Sequence, residues 1–264
     1  MKSIQKKTIL NLSLLFVLIT LIYISWKYNN KLFFLVNGFY KDVLAYPMIF
    51  LTAMADGLFV LMIAAAAYQK KRGYFWSFIT AFIISSIIVQ LIKNYFVSGR
   101  PLSYYPIDQI YYAGEILKAQ SFPSGHSAVA LVLTRYLAQG TGKKLMVFIY
   151  TLGILAALSR VYIGVHFPKD ITSGAVLGFL IASMVFYFAE RKYKHSNRAE
   201  YRYNNLLISL TGLISGVFYL FFNSDLYEPL SYFVNITAVL FCLYFTWKVI
   251  FEFFKIYRGD QTPA

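Results

Sequence analysis

The sequence predicts an all-α protein, a polytopic bundle of transmembrane helices. Two observations carry that prediction. Hydrophobic residues make up 59% of the 264-residue chain and charged residues 14%, against roughly 45–50% and about 25% in soluble domains. The apolar residues are also gathered into runs that approach the ~20 residues a helix needs to cross a bilayer. The net charge of +14 would suggest nucleic acid in a soluble protein. Here the basic residues lie mostly between apolar runs, where they set orientation, so no nucleic-acid partner is expected. A single cysteine, Cys242, excludes a disulfide within the chain.

Eight spans follow in order. Ile9–Trp26 follows the basic start MKSIQKK; it is long for a signal peptide and no small-residue cleavage site follows, so it reads as a retained first span. Pro47–Tyr68 and Phe75–Phe96 are full-length apolar runs. Ser124–Ala138 is short, which puts one of its ends below the bilayer surface. Leu145–Ile163 and Ile171–Ala189 complete a six-span unit, residues 1–195. Leu206–Phe222 and Tyr232–Phe254 form an additional C-terminal hairpin within 196–264. Gly174/Gly178 and Gly212/Gly216 are small-residue pairs at helical spacing and predict close helix contacts. Basic clusters at 2–7, 70–72, 143–144, 191–202 and 255–258 all fall on one side of this topology. The excess places both termini in the cytoplasm of a multi-pass inner-membrane protein.

Three polar clusters interrupt the pattern, and under this topology all three lie at outer span ends. Lys93 to Pro101 closes the third span; if the helix continued, Lys93 and Arg100 would lie two turns apart on one face. The bland reading is that two long basic side chains snorkel to the interface. Pro123-Ser124-Gly125-His126 opens the fourth span as a turn feeding a helix N-terminus, where exposed N–H groups and the helix dipole favour an anion. It is equally a plain cap with a histidine beside it. Ser159-Arg160 through His166 to Asp170 bridges the fifth and sixth spans. A carboxylate four residues after a histidine can fix the ring's tautomer; the alternative is an interfacial pair without chemistry.

Taken together the clusters gain meaning. Ionisable groups at membrane depth are costly and mark function or pairing. Three cations, Lys93, Arg100 and Arg160, suit the charge spread over a phosphoryl group in transfer. Two histidines suit a nucleophile and an acid. Asp170 is the only carboxylate in these clusters, too few for a phosphate-metal cage, and the histidines are too few for a zinc site. Leu102 to Tyr112 is an aromatic outer loop, for interfacial anchoring or lipid contact. Asp56 lies within the second span, either paired with a cation or lining a cavity, and is not assigned to the site. Arg135 is expected to snorkel inward.

These residues resemble the three signature motifs of the type 2 phosphatidic acid phosphatase (PAP2) family: Lys93…Arg100-Pro101, Pro123-Ser124-Gly125-His126, and Ser159-Arg160…His166…Asp170. That family includes membrane lipid phosphatases and shares its core with soluble acid phosphatases and vanadium haloperoxidases. The resemblance implies a core of the first six spans and leaves the last two unaccounted for. It implies that His166 attacks phosphorus, Asp170 orients it, and His126 protonates the leaving group and then activates water. Lys93, Arg100 and Arg160 would hold the phosphoryl oxygens with Ser124, Gly125 and Ser159, with no metal or other cofactor. The expected substrate is a phospholipid or isoprenoid-lipid phosphate, of the undecaprenyl pyrophosphate, phosphatidylglycerol phosphate, phosphatidic acid or lipid A type, met at the outer membrane face. A phosphotransferase using the same site is the alternative within this chemistry. A transporter or channel is the alternative outside it, and it leaves the motif spacings as coincidence.

Overall fold

The computed structural model describes residues 16–69, 72–193, 204–223 and 231–258. The start of the first predicted span and most of the basic clusters at 2–7, 70–71 and 194–202 lie outside the described residues. The described chain is helical: α1 (Phe16–Lys27), α2 (Asn29–Asn37), α3 (Asp42–Met54), α4 (Gly57–Ala67), α5 (Arg72–Tyr95), α6 (Gly125–Leu137), α7 (Lys143–Tyr162), α8 (Pro168–Tyr193), α9 (Asn204–Phe222) and α10 (Tyr232–Tyr257). It is a multi-pass membrane bundle. Five of these helices, α5, α7, α8, α9 and α10, are long and apolar enough to span by themselves.

The second predicted span is two helices. α3 and α4 meet at a 74° bend. Asp56 makes the joint: its backbone is extended, and its carboxylate accepts the Leu58 N–H at 2.9 Å, capping α4. A third element was not expected at all. α2 lies between the first two spans and turns Phe33 and Asn37 inward, one helical turn apart, while Leu35 faces out.

The fourth predicted span is not a lipid-facing crossing. At 13 residues, α6 is about 20 Å long, short of the ~30 Å hydrocarbon layer. Every residue from Ser127 to Thr134 is buried. The helix is instead the axis of the bundle, wrapped by α4, α5, α7 and α8. Two glycines of α8 allow this. A Cβ on Gly174 would stand 2.3 Å from the Ser124 carbonyl oxygen, and one on Gly178 only 2.1 Å from that of Ala128, so α8 lies directly on the α6 backbone. The predicted pair Gly212/Gly216 likewise seats α9 on Phe245 and Cys242 of α10.

The C-terminal hairpin shares the main core. Phe59 of α4 meets the Tyr219 ring edge-on at 5.1 Å. Ile208, Tyr219, Val234, Ala238 and Phe245 belong to one apolar cluster with Phe59, Val60, Phe75 and Tyr136. At the opposite end from the motifs, Arg135 is held within the protein, donating to Ser183 and Gln139 and lying over the Phe186 ring.

Candidate active site

The motif residues converge where α5 ends and α6 and α8 begin. α5 stops at Tyr95, so Lys93 lies in its last turn while Arg100 does not share its helix. The backbone at Arg100 is extended, and Pro101 starts a 3₁₀ turn. Pro101 cannot donate a backbone hydrogen bond and disfavours a helical residue before it. Residues 98–100 then pair with the returning loop: Arg100 N–H donates to Lys118 O at 2.8 Å and Ser121 N–H to Ser98 O at 3.0 Å. Arg100, 6% exposed as a residue, donates through Nε to Ala119 O and through one terminal nitrogen to Val165 O. Those bonds fix its direction and leave further N–H groups to donate.

Ser124 caps α6 as the sequence predicts. Its Oγ accepts from Ser127 N–H at 3.3 Å and from Ser127 Oγ at 2.9 Å. Both contacts use its lone pairs, so its own O–H remains a donor. Ser124 N–H donates to the Asp170 carbonyl at 3.0 Å, which locks the start of α6 to the start of α8. Ser159 differs. It is fully buried in α7, donates to Ala156 O at 2.7 Å and lies 2.5 Å from Thr52 Oγ1 of α3. Its one proton is spent on the carbonyl, and its position braces the end of α7 that carries Arg160.

Between α7 and α8 the chain makes a tight turn. Gly164 has φ +77°, and a Cβ there would sit 2.3 Å from the Tyr111 carbonyl oxygen; only glycine fits both conditions. Pro168 opens α8, whose first turn holds Asp170. His166, in the turn, is 2% exposed and Asp170 0%. His166 Nδ1 faces Asp170 Oδ2 at 3.6 Å. Ser121, a residue absent from the sequence reading, sits between them: its Oγ donates to Asp170 Oδ2 at 2.5 Å and lies 3.4 Å from His166 Nδ1. Asp170 Oδ2 also accepts the Phe167 N–H at 2.9 Å. Since the Ser121 proton goes to the carboxylate, the ring hydrogen belongs on Nδ1, and Nε2 is left with its lone pair. Burial, then the nearby charges of Arg100, Arg160 and Lys93, hold the His166 imidazole well below the usual histidine range.

His126 is in the first turn of α6. Arg160, His166, Lys93 and Arg100 all act on it electrostatically. Its ring is more open than that of His166, 27% exposed, and Nε2 lies 3.9 Å from Asp56 Oδ2. The structure therefore brings together Lys93, Arg100, Ser124, Gly125, His126, Arg160, His166 and Asp170, and adds Ser121 and Asp56. A carboxylate inside an apolar run was the sequence signal for Asp56; Ser121 carried none.

The loop between α5 and α6 divides by role. Tyr105 stacks on Phe33, and Tyr111 stacks on Tyr40 at 3.7 Å. Asn37 of α2 ties the loop down, donating to Tyr111 O and Tyr162 O and accepting the Tyr111 N–H. Tyr95, Val97, Tyr104, Ile107 and Ile116 stay exposed as an apolar rim. Tyr40 donates to Asp42 at 2.5 Å, which pushes its hydroxyl up to about 12.

Residues 74–194, from α5 to the end of α8, match the model of the PAP2 superfamily. Phosphatidylglycerophosphatase B of Bacillus subtilis is 38% identical across a match that covers 27% of this chain and 40% of that protein. The match thus spans less than half the length of that relative. An undecaprenyl-diphosphatase of Sulfolobus acidocaldarius is 25% identical over 59% of this chain and 75% of its own. The crystal structure of Aquifex aeolicus LpxE superposes with a TM-score of 0.56 at 23% identity, covering 60% of this chain and 94% of that one; at that identity the likeness concerns the fold.

Proposed function

Because residues 74–194 match the PAP2 superfamily, we propose that the chain is an integral-membrane phosphatase that removes a phosphate from a membrane lipid. The observation that carries this is the sealed His166–Ser121–Asp170 group, with Nε2 left unprotonated beside Arg100, Arg160 and Lys93. A buried neutral imidazole with a fixed tautomer, facing several cations, suits attack on an anionic electrophile.

The reaction runs in two steps. His166 Nε2 attacks phosphorus and the bond from phosphorus to the leaving oxygen breaks. A proton from His126 goes to that oxygen, leaving a phosphohistidine. His126, now neutral, takes a proton from water; the water oxygen attacks phosphorus, the P–N bond breaks, and Nε2 regains its lone pair. Lys93, Arg100 and Arg160, the Ser124 hydroxyl and the backbone N–H groups at the start of α6 stabilise the equatorial oxygens. Asp170 holds the ring that reacts. In this reading the cationic side chains supply the charge that a metal would otherwise supply, and phosphate release in the presence of chelator tests whether a metal is needed.

The substrate is membrane-embedded and is met on the outer face. The apolar rim of Tyr95, Val97, Ile107 and Ile116 beside the site supports a donor arriving from the bilayer. Named relatives act on phosphatidylglycerophosphate and undecaprenyl diphosphate, and either headgroup offers a terminal phosphate to the cations. The test is phosphate release from a panel of these lipids, phosphatidic acid and lipid A, in detergent micelles and with excess chelator. Release by the wild type and none by His166→Ala is expected; full loss on chelation, or normal release by His166→Ala, overturns the mechanism. Labelled donor with added lipid or sugar acceptors separates hydrolysis from phosphoryl transfer.

A further inference from the structure

Asp56 is a carboxylate in the middle of an apolar segment, and its capping of α4 does not explain its charge. Asn and Ser cap helices as well as Asp does, while an ion at membrane depth is costly. What distinguishes Asp from those residues here is what it faces: His126 Nε2 at 3.9 Å, with the Arg160 charge also bearing on it. The cap itself favours the ionised carboxylate, since Leu58 N–H donates to it at the positive end of α4.

We propose that Asp56 is a positioning residue for the leaving-group acid, holding the His126 ring and keeping it protonated. The inference rests on the phosphatase reading above. Among the described residues, the other charged groups facing His126 oppose its protonation: Lys93 from α5, Arg100 from the loop after it, and Arg160 from α7, with His166 a fourth potential cation. On α8, Asp170 is turned to His166 and engaged by Ser121 and Phe167, so Asp56 is the negative charge at ion-pair distance from His126. A carboxylate there favours imidazolium. It also leaves Nδ1 of the ring to deliver the proton to the leaving oxygen, while the 74° bend between α3 and α4 sets where the carboxylate stands.

The experiment compares full-length wild type, Asp56→Asn, Asp56→Ser and Asp56→Glu in detergent. Two substrates are used: a dialkylglycerol phosphate, whose alkoxide needs a proton to leave, and an aryl phosphate, whose phenolate needs it far less. Asn and Ser keep the cap and remove the charge. The expected result for both is a ~10–100-fold loss of kcat on the alkyl phosphate, within about threefold of wild type on the aryl phosphate. The alkaline limb of the kcat profile should move to lower pH by about one unit, because the acid deprotonates more easily without its carboxylate. Asp56→Glu should recover part of both effects. Equal losses on both substrates with an unmoved limb would make Asp56 merely structural and overturn the proposal, as would wild-type behaviour of Asp56→Asn. If the wild type releases phosphate from neither substrate, or His166→Ala is as active as wild type, the phosphatase reading falls first and this one with it.

Discussion

The two histidines of the site each stand beside a carboxylate, yet the two pairs are built differently. His166 and Asp170 are 3.6 Å apart and closed off, at 2% and 0% exposure; His126 and Asp56 are 3.9 Å apart and open, at 27% and 20%. The closed pair is bridged by Ser121 and capped by the Phe167 N–H. The open pair has a backbone N–H on its carboxylate, from Leu58, but no serine bridging carboxylate and ring. The difference follows from what each ring must do. A nucleophile needs one tautomer and one direction, and sealing gives both at the cost of disfavouring its charged form. A proton donor must meet the leaving group, then water, so it cannot be sealed. One chemical pair thus serves two roles through burial and the Ser121 bridge.

The sharpest break in that comparison is to delete each ring. His166→Ala should lower phosphate release by roughly 10⁴-fold or more on any phosphate ester, since no other group can form the covalent intermediate. His126→Ala should lose about 10²–10⁴-fold on alkyl phosphates and much less on aryl phosphates. Rapid-quench capture of acid-labile phosphoprotein from an aryl donor checks the division: His166→Ala should give none, and His126→Ala should accumulate it, because water activation is then slow. Equal behaviour of the two variants would erase the distinction between the pairs.

A smaller effect tests the brace. Ser121→Ala removes the proton that fixes which ring nitrogen carries hydrogen. The carboxylate keeps its Phe167 N–H bond, so the fold should hold and kcat should fall by roughly 10-fold, the scale of one net hydrogen bond to a charged group. Ser121→Thr, which restores the hydroxyl, should recover part of it. A wild-type rate for Ser121→Ala would mean that Asp170 orients His166 without help.

How far this was legible in the sequence depends on distance along the chain. Lys93, His126 and His166 stand out because a polar residue is conspicuous within or beside an apolar run, and four-residue spacing already brings His166 toward Asp170. Ser121 reaches Asp170 across 49 positions, and only the packing of α6 on α8 makes that contact. Asp56 was conspicuous by charge, but its partner lies on another helix. Hydropathy alone does not show that α6 is enclosed by its neighbours, because a helix so buried and one facing lipid have the same composition. It passed over α2 because two inward residues make too weak a pattern. Ser159 shows the reverse situation: its residue type suits a phosphate, while its proton serves the Ala156 carbonyl, a contact the sequence does not show.

The smallest effect is in pH. Burial and the nearby cations keep His166 neutral well below the usual histidine range near 6.5, so its lone pair should stay available in mildly acidic buffer. The acid limb of kcat/KM for the aryl phosphate should therefore lie below pH 6.5. The same shift has a cost in stability. In the unfolded chain the imidazole binds a proton as pH falls through about 6.5; in the folded protein it does not until much lower. Across that window the unfolded state holds more protons, so stability falls as pH falls, by up to about 1.4 kcal/mol per pH unit for this group. His166→Gln removes the titration. Its thermal midpoint in detergent should drop less than that of the wild type between pH 7.5 and 5.5. Parallel drops in the two proteins would show that the His166 ring takes up its proton in the folded state, and the pair would then be less closed than its 2% exposure implies.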